Sequence, residues 1–332
     1  MRHLPNLLRT IIVFGILLLT PAIQADTAAL PNLPACNDFA FSTEEDFLTH
    51  GPTPSDGNPI ISDGDLLSRT GVVCARNREL LAAWEVVPDL GLDAVDIIDV
   101  ERGLVVFSTE LDDPRGRFKS GDLLGTNGLT IPNLALLTLF QVGRDLGLDG
   151  VQFIGPRANT IHFMEEAAKQ PREYWLTNPG TLIKLLREHG IDIWISTEGT
   201  ELTAATTAIF DGDILSVRDG TVVVNQAALL PPSVPAGIPA RGVDFGIDAL
   251  TANLRGDVKT LRFSTEILFR GEPRFTDGDI IRYGNGVEVV NSSLVAPFEP
   301  KARFLGLDAL YIRLDPQISA ENYLPIIKKN SR

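Results

Sequence analysis

Carboxylates recur in this chain at fixed places, and carboxylates in sets can bind a hard cation, move protons or close turns. Three sets stand out, each with four members. Asp93, Asp149, Asp248 and Asp308 each stand third in a Gly-Leu/Ile-Asp-Ala/Gly block. Asp65, Asp122, Asp213 and Asp279 each follow a glycine and precede two aliphatic residues. Glu44, Glu110, Glu198 and Glu266 end the blocks Phe41–Glu44, Phe107–Glu110, Ile195–Glu198 and Phe263–Glu266. Acids repeated in this way are first of all structural, because an Asp side chain accepts backbone N–H bonds at a tight turn. The competing expectation is a ring of carboxylates around an axis. Such a ring repels itself unless a cation or a raised pKa relieves it. Oxygen donors alone suit Ca²⁺, and Asp93, Asp149, Asp248 and Asp308 are the expected ligands, although no segment has the EF-hand loop or the glycine-rich calcium nonapeptide.

A second group of polar residues lies where the repeat breaks. Asp93 to Phe107 spans 14 residues and Asp248 to Phe263 spans 15, but Asp149 to Ile195 spans 46. The extra length is an insertion over 155–193 that holds His162, Tyr174, Trp175 and His189, and a loop over 45–62 holds His50. These segments are either packed decoration and a loose loop, or a binding surface with an aromatic anchor at Tyr174 or Trp175. On the second reading His50, His162, Tyr174, Trp175 and His189 are the ligand-binding residues.

Signatures of catalysis are missing from the sequence: it has no G-x-S-x-G, H-E-x-x-H, P-loop or dinucleotide fingerprint. A carboxylate pair can hydrolyse glycosides, but with 43 acids in the chain no pair can be picked out. The expectation is a scaffold that binds a small ligand or a protein partner without catalysis. The alternatives are a secreted hydrolase using loop carboxylates and a histidine, or a structural envelope component.

The elements that position these residues come from internal repetition. The order is FSTE block, acidic Gly-Asp turn with two aliphatics, an asparagine (Asn77, Asn133, Asn225, Asn291) and then Gly-Leu-Asp-Ala, recurring four times. Val105–Thr109 and Leu261–Thr265 are rich in β-branched and aromatic residues and are expected strands. Asn285-Gly286 and Asp219-Gly220 mark tight hairpins. A helical turn follows each asparagine, and Thr181–His189 is an expected helix after Asn178-Pro179. The pattern starts at FSTE and stops after a Gly-Leu-Asp-Ala strand, so each end supplies what the other lacks. A circle cut between those blocks has this layout, and closure hides strand edges. The expected fold is all-β with minor helix, a closed ring of four repeats, which is a four-bladed β-propeller with C-terminal strand closure plus the helical insertion. Its units lie near 41–106, 107–194, 195–262 and 263–314, within a domain over 36–314 followed by a tail over 315–332.

This layout resembles hemopexin-like four-bladed propellers. Their blades also open with a short Asp-Ala strand, here Asp248-Ala249 and Asp308-Ala309, followed by an aromatic strand and a Gly-Asp turn, here Phe263 and Gly278-Asp279. The tryptophan-bearing third strand of that family has only Ile281-Arg282-Tyr283 as its counterpart. The resemblance implies binding of proteins or ligands and ions held in a central tunnel.

Charge narrows the partners. Residues 1–25 have Arg2 and Arg9, an apolar run Ile11–Leu19 and small residues at Ala22–Ala25, the order of a secretory signal, so a secreted or periplasmic location is expected. Removing that segment takes the net charge from −14 to −16, which argues against nucleic acid or anionic lipid as a partner. No later stretch is apolar enough for an integral membrane segment. In an oxidising compartment, the two cysteines, Cys36 and Cys74, are expected to form a disulfide.

Overall fold

The computed structural model describes residues 30, 32–202, 208–302 and 305–315. The signal expected over 1–25, and the tail 315–332 apart from Asp315, lie outside the described residues. The chain is mostly β, in five antiparallel sheets, four of which are four-stranded.

Each four-stranded sheet is assembled from the repeated blocks in the same order. The second sheet runs Val95–Asp99, Leu104–Phe107, Leu123–Gly125, Thr130–Ile131. The third runs Gly150–Ile154, Asp192–Ser196, Ile214–Ser216, Thr221–Val224, and the fourth Leu250–Thr251, Arg262–Phe263, Ile280–Arg282, Gly286–Val289. The first sheet combines both ends of the chain: Leu310–Ile312, Phe39–Phe41, Leu66–Leu67, Val73–Ala75. Its first pair is antiparallel, with Phe39 opposite Ile312 and Phe41 opposite Leu310. A two-stranded hairpin, Phe47–Leu48 with Ile60–Ile61, organises the 45–62 loop.

Strand sequences such as Leu-Val-Val-Phe at 104–107 are buried on both faces, and the core shows why. The buried apolar residues form four clusters, each between two sheets. Phe107 and Val105 pack with Ala40 and Leu66 of the first sheet, while Val106 packs with Val151 and Ile195 of the third. Trp194 and Ile214 of the third sheet meet Leu250 and Phe263 of the fourth, and Ile280 of the fourth meets Phe41 and Leu310 of the first. Sheets covered on both faces need continuous apolar runs rather than alternation. The strands that open the sheets, here the lead strands, touch their neighbours in the same cyclic order.

The third block differs from expectation in one unit. Asn77, Asn133 and Asn291 each accept a backbone N–H 13 or 14 residues later: from Leu90, Leu146 and Leu305. In the third sheet's unit Gln226, not Asn225, does this, accepting from Phe245 N and donating to Gly246 O. Asn225 is the N-cap of helix Gln226–Leu229, and the longer glutamine makes up the one-residue offset.

The insertion forms three helices, Arg157–Ala167, Arg172–Thr177 and Thr181–His189. The third starts from Gly180 as N-cap rather than from Asn178-Pro179. The second reaches back to the neighbouring unit, where Arg172 pairs with the fully buried Asp122 at 2.5 Å. Cys36 and Cys74 are joined in a disulfide with Cα atoms 6.1 Å apart. Among the described residues no helix is long and apolar enough to cross a membrane.

Candidate metal centre

The two aspartate sets divide their labour, and not along the first structural expectation. The Asp65 set closes the turns. Asp65 accepts from Ser62 N and Asn77 N, Asp122 from Lys119 N and Asn133 N, and Asp279 from Thr276 N and Asn291 N. The turn role first expected of Asp93, Asp149, Asp248 and Asp308 is therefore corrected. All four are buried, and each has at least one carboxylate oxygen with no hydrogen-bond partner; for Asp149 both oxygens lack one.

These four aspartates lie one or two residues before the lead strands, so the sheet order brings them together at one end. Asp93, Asp149 and Glu198 offer oxygens within 4.8 Å of one another, and Glu44, Asp248 and Asp308 do the same. The glutamates reach this end from the adjacent strands of each sheet. Gly91 allows that approach: it sits at φ +73, and a Cβ there would come within 2.6 Å of the Glu110 carboxyl carbon. In the same way Gly147 faces Glu198, Gly246 faces Glu266 and Gly306 faces Glu44.

Serines of the FSTE blocks hold neighbouring sheets in register beneath the acids. Ser42 Oγ donates to Leu92 O at 2.9 Å, Ser108 Oγ to Leu148 O at 2.7 Å and Ser264 Oγ to Leu307 O at 2.9 Å. Ser196 breaks the pattern, since its hydroxyl has no partner. Its unit has Gly150 where the other units have alanine, and the Ser196 hydroxyl occupies the space of the missing methyl, 2.5 Å from where a Cβ would stand.

Crowding of acids sets the electrostatics. Burial, reinforced by neighbouring carboxylates, pushes Asp93, Asp149, Asp248 and Asp308 well above the ordinary aspartate value. Desolvation, with Asp277, Glu45 and Glu110 nearby, raises Glu44 to about 7. Desolvation also lifts Glu110, Glu198 and Glu266. Further out, Asp63 rises to about 7 and Asp211 to about 8, the latter through burial and the adjoining Asp244. Among the described residues no basic side chain contributes to the shifts of the buried four; the charged groups acting on them are other acids. A group of oxygen-only donors, desolvated and short of counter-charge, suits a hard divalent cation.

The other expected site residues do not join this group. Trp175 is 2% exposed and belongs to the cluster between the second and third sheets, so the exposed aromatic anchor expected there is corrected to a core residue. Its short helix packs its apolar side against the second sheet's last strand. Tyr174 is half-buried, edge-on to Trp175 at 5.4 Å between ring centroids. His189 lies against Phe163 and pairs with Glu166 at 3.1 Å, His162 is exposed on the first insertion helix, and His50 is exposed with Nδ1 3.2 Å from Leu48 O. None of them lies among the clustered carboxylates. Sequence reasoning missed Asp63, Asp211, Asp244 and Asp277, which surround the cluster. The doubled acid of Asp-Gly-Asp was the available signal for three of them.

No family model matches the chain, and neither a curated protein nor a solved structure shows significant similarity to it.

Proposed function

We propose that the four sheets form a four-bladed β-propeller closed by the C-terminal strand, and that it serves as a non-catalytic, exported binding scaffold with a divalent cation, Ca²⁺ by preference, on its axis. The closure reading is supported by the pairing of Leu310–Ile312 with Phe39–Phe41 and by the cyclic order of the four apolar clusters. The observation that carries the cation reading is Asp149. It is 2% exposed, and neither carboxylate oxygen has a hydrogen-bond partner. An unpartnered buried carboxylate is costly unless it is protonated or meets a cation. Asp93 and Glu198 within 4.8 Å supply further oxygens for such an ion, and Glu44 with Asp248 and Asp308 offers a second trio. Ca²⁺ accepts six to eight oxygens in flexible geometry, which these carboxylates can provide without nitrogen or sulfur donors.

A bound ion would tie carboxylates of adjacent sheets together, Asp93 to Asp149 and Glu198, and leave the outer loops free to present a surface to a partner. Isothermal titration of metal-stripped protein with CaCl₂ tests the reading. Saturable binding that is lost in Asp149→Asn is the expected result. Binding of equal strength in the variant, or no heat beyond dilution in either, would overturn it.

A further inference from the structure

The lead strands have two ends, and the end opposite the acids holds a cavity of about 780 Å³. The lead strands of the first three sheets line it, together with Ala252–Arg255, the segment that follows the fourth lead strand. Three positions after each clustered aspartate stand Asp96, Gln152, Thr251 and Tyr311, one per sheet. At the clustered aspartates and at the serines and glutamates of the FSTE blocks, equivalent positions keep one residue type because they do one structural job. Here four different polar side chains share one structural position.

Three of them satisfy one another. Asp96 Oδ2 accepts from Gln152 Nε2 at 3.0 Å and from Phe153 N at 2.8 Å. Gln152 Oε1 accepts from Thr251 Oγ1 and from Ala252 N, both at 3.0 Å. Tyr311 is left over. It is 4% exposed, and its hydroxyl has no partner in hydrogen-bonding geometry; burial, with Asp96 nearby, pushes the phenol above its ordinary value even though Arg157 stands close to it. Arg313, also in the wall, donates through Nη1 to Asn37 Oδ1, while its buried Nη2 has no partner. Arg157 and Arg255 complete a group of three arginines on one cavity, in a chain of net charge −14. The acids of the cavity are already engaged, Asp96 as above and Asp315 by Leu254 N at 2.8 Å. Unsatisfied groups in the wall are thus donors, and the remaining lining, with Phe153, Leu254 and Ile312, is apolar.

We propose that this cavity binds a small organic anion, an apolar body whose acidic head is held by Tyr311, Arg313 and Arg157. Its volume lies in the range of small-molecule sites, and guanidinium groups suit carboxylate, sulfonate and phosphate heads alike. The insertion has a place in this site: its first helix starts at Arg157, shortly after the lead strand Gly150–Ile154, so the helical decoration supplies one of the three arginines. The site is independent of the cation centre, which lies at the other end of the same strands.

Fluorescence titration of the oxidised full-length protein with anilinonaphthalene sulfonate, against the neutral phenylnaphthylamine that lacks the sulfonate, tests the assignment. The expected result is saturable binding of the anion at one site, roughly tenfold tighter than the neutral dye, as one charge-assisted hydrogen bond would give. Tyr311→Phe, which keeps the ring in the core, and Arg157→Gln should each weaken the anion several-fold and leave the neutral dye and the melting temperature unchanged. Equal affinity for the two dyes, unchanged anion binding in both variants, or the absence of saturable binding would each overturn the proposal.

Discussion

Asp93 and Asp149 belong to neighbouring sheets, lie 56 positions apart in the chain and present carboxylate oxygens within 4.8 Å of each other with no basic group between them. Two buried acids at that separation cannot both be ionised cheaply in the absence of a cation. The predictions follow from how that repulsion is relieved.

Calcium should stabilise the fold. At about one hundred times its Kd a ligand adds about 2.7 kcal/mol, or ~5 °C of melting temperature for a chain of this size. In Asp149→Asn the shift should vanish, while the metal-free variant should melt no lower than the metal-free parent at pH 8, because the substitution removes a repelling charge. A variant that melts far lower without metal would mean that Asp149 is a structural hydrogen-bonding group instead.

Metal-free protein should become less stable as pH rises. In the unfolded chain these acids ionise near their ordinary values, 3.8 for Asp and 4.5 for Glu, whereas in the folded state Glu44 and Asp63 ionise near 7 and Asp211 near 8. Between those limits the folded state binds more protons than the unfolded state, so raising the pH favours unfolding. Melting in chelator should therefore fall from about pH 4.5 to pH 8, and calcium should flatten the slope. A melting temperature that climbs over that window without metal would contradict the arrangement of acids described above.

The serine bridges make a differential test. Ser108→Ala removes a buried 2.7 Å bond and leaves the Leu148 carbonyl unpaired, which should cost about 1–3 kcal/mol. Ser196→Ala removes a hydroxyl that has no partner and should be close to neutral. Urea denaturation of the pair measures the difference, and similar losses in both would mean that the inter-sheet bonds contribute little.

Reducing the disulfide should lower stability by roughly 4 kcal/mol in the chain-entropy account, since Cys36 and Cys74 close a loop of 38 residues. A Cys36→Ser, Cys74→Ser double variant that melts with the oxidised parent would show that the first sheet holds that segment without it.

Closure is tested by deletion. Removing residues 305–332 takes away the strand that pairs with Phe39–Phe41 and exposes Phe41 and Leu67 on the first sheet. Loss of cooperative folding is expected, with recovery when residues 305–315 are placed before residue 36. A truncated chain that keeps native melting and proteolytic resistance would rule out the closed ring.

Much of this architecture was legible in the sequence because it depends on local periodicity repeated four times. The strand blocks, the helix at Thr181–His189, the cysteine pair and the recurrence of Asp93, Asp149, Asp248 and Asp308 all follow from residue type and spacing. Repetition alone could not decide which aspartate set closes turns and which converges. Both sets recur with equal regularity, and the difference is the direction a side chain takes once four sheets are packed. It could not show that Trp175 is core, because that depends on the second insertion helix covering a sheet from another unit. Nor could it reveal the cavity, whose residues are 55 to 60 positions apart from one lead strand to the next, or nearly 100 across the insertion, and become neighbours only when the lead strands come together. Spacing along the chain encodes what each strand is; the packing of apolar faces on both sides of every sheet determines which side chains meet.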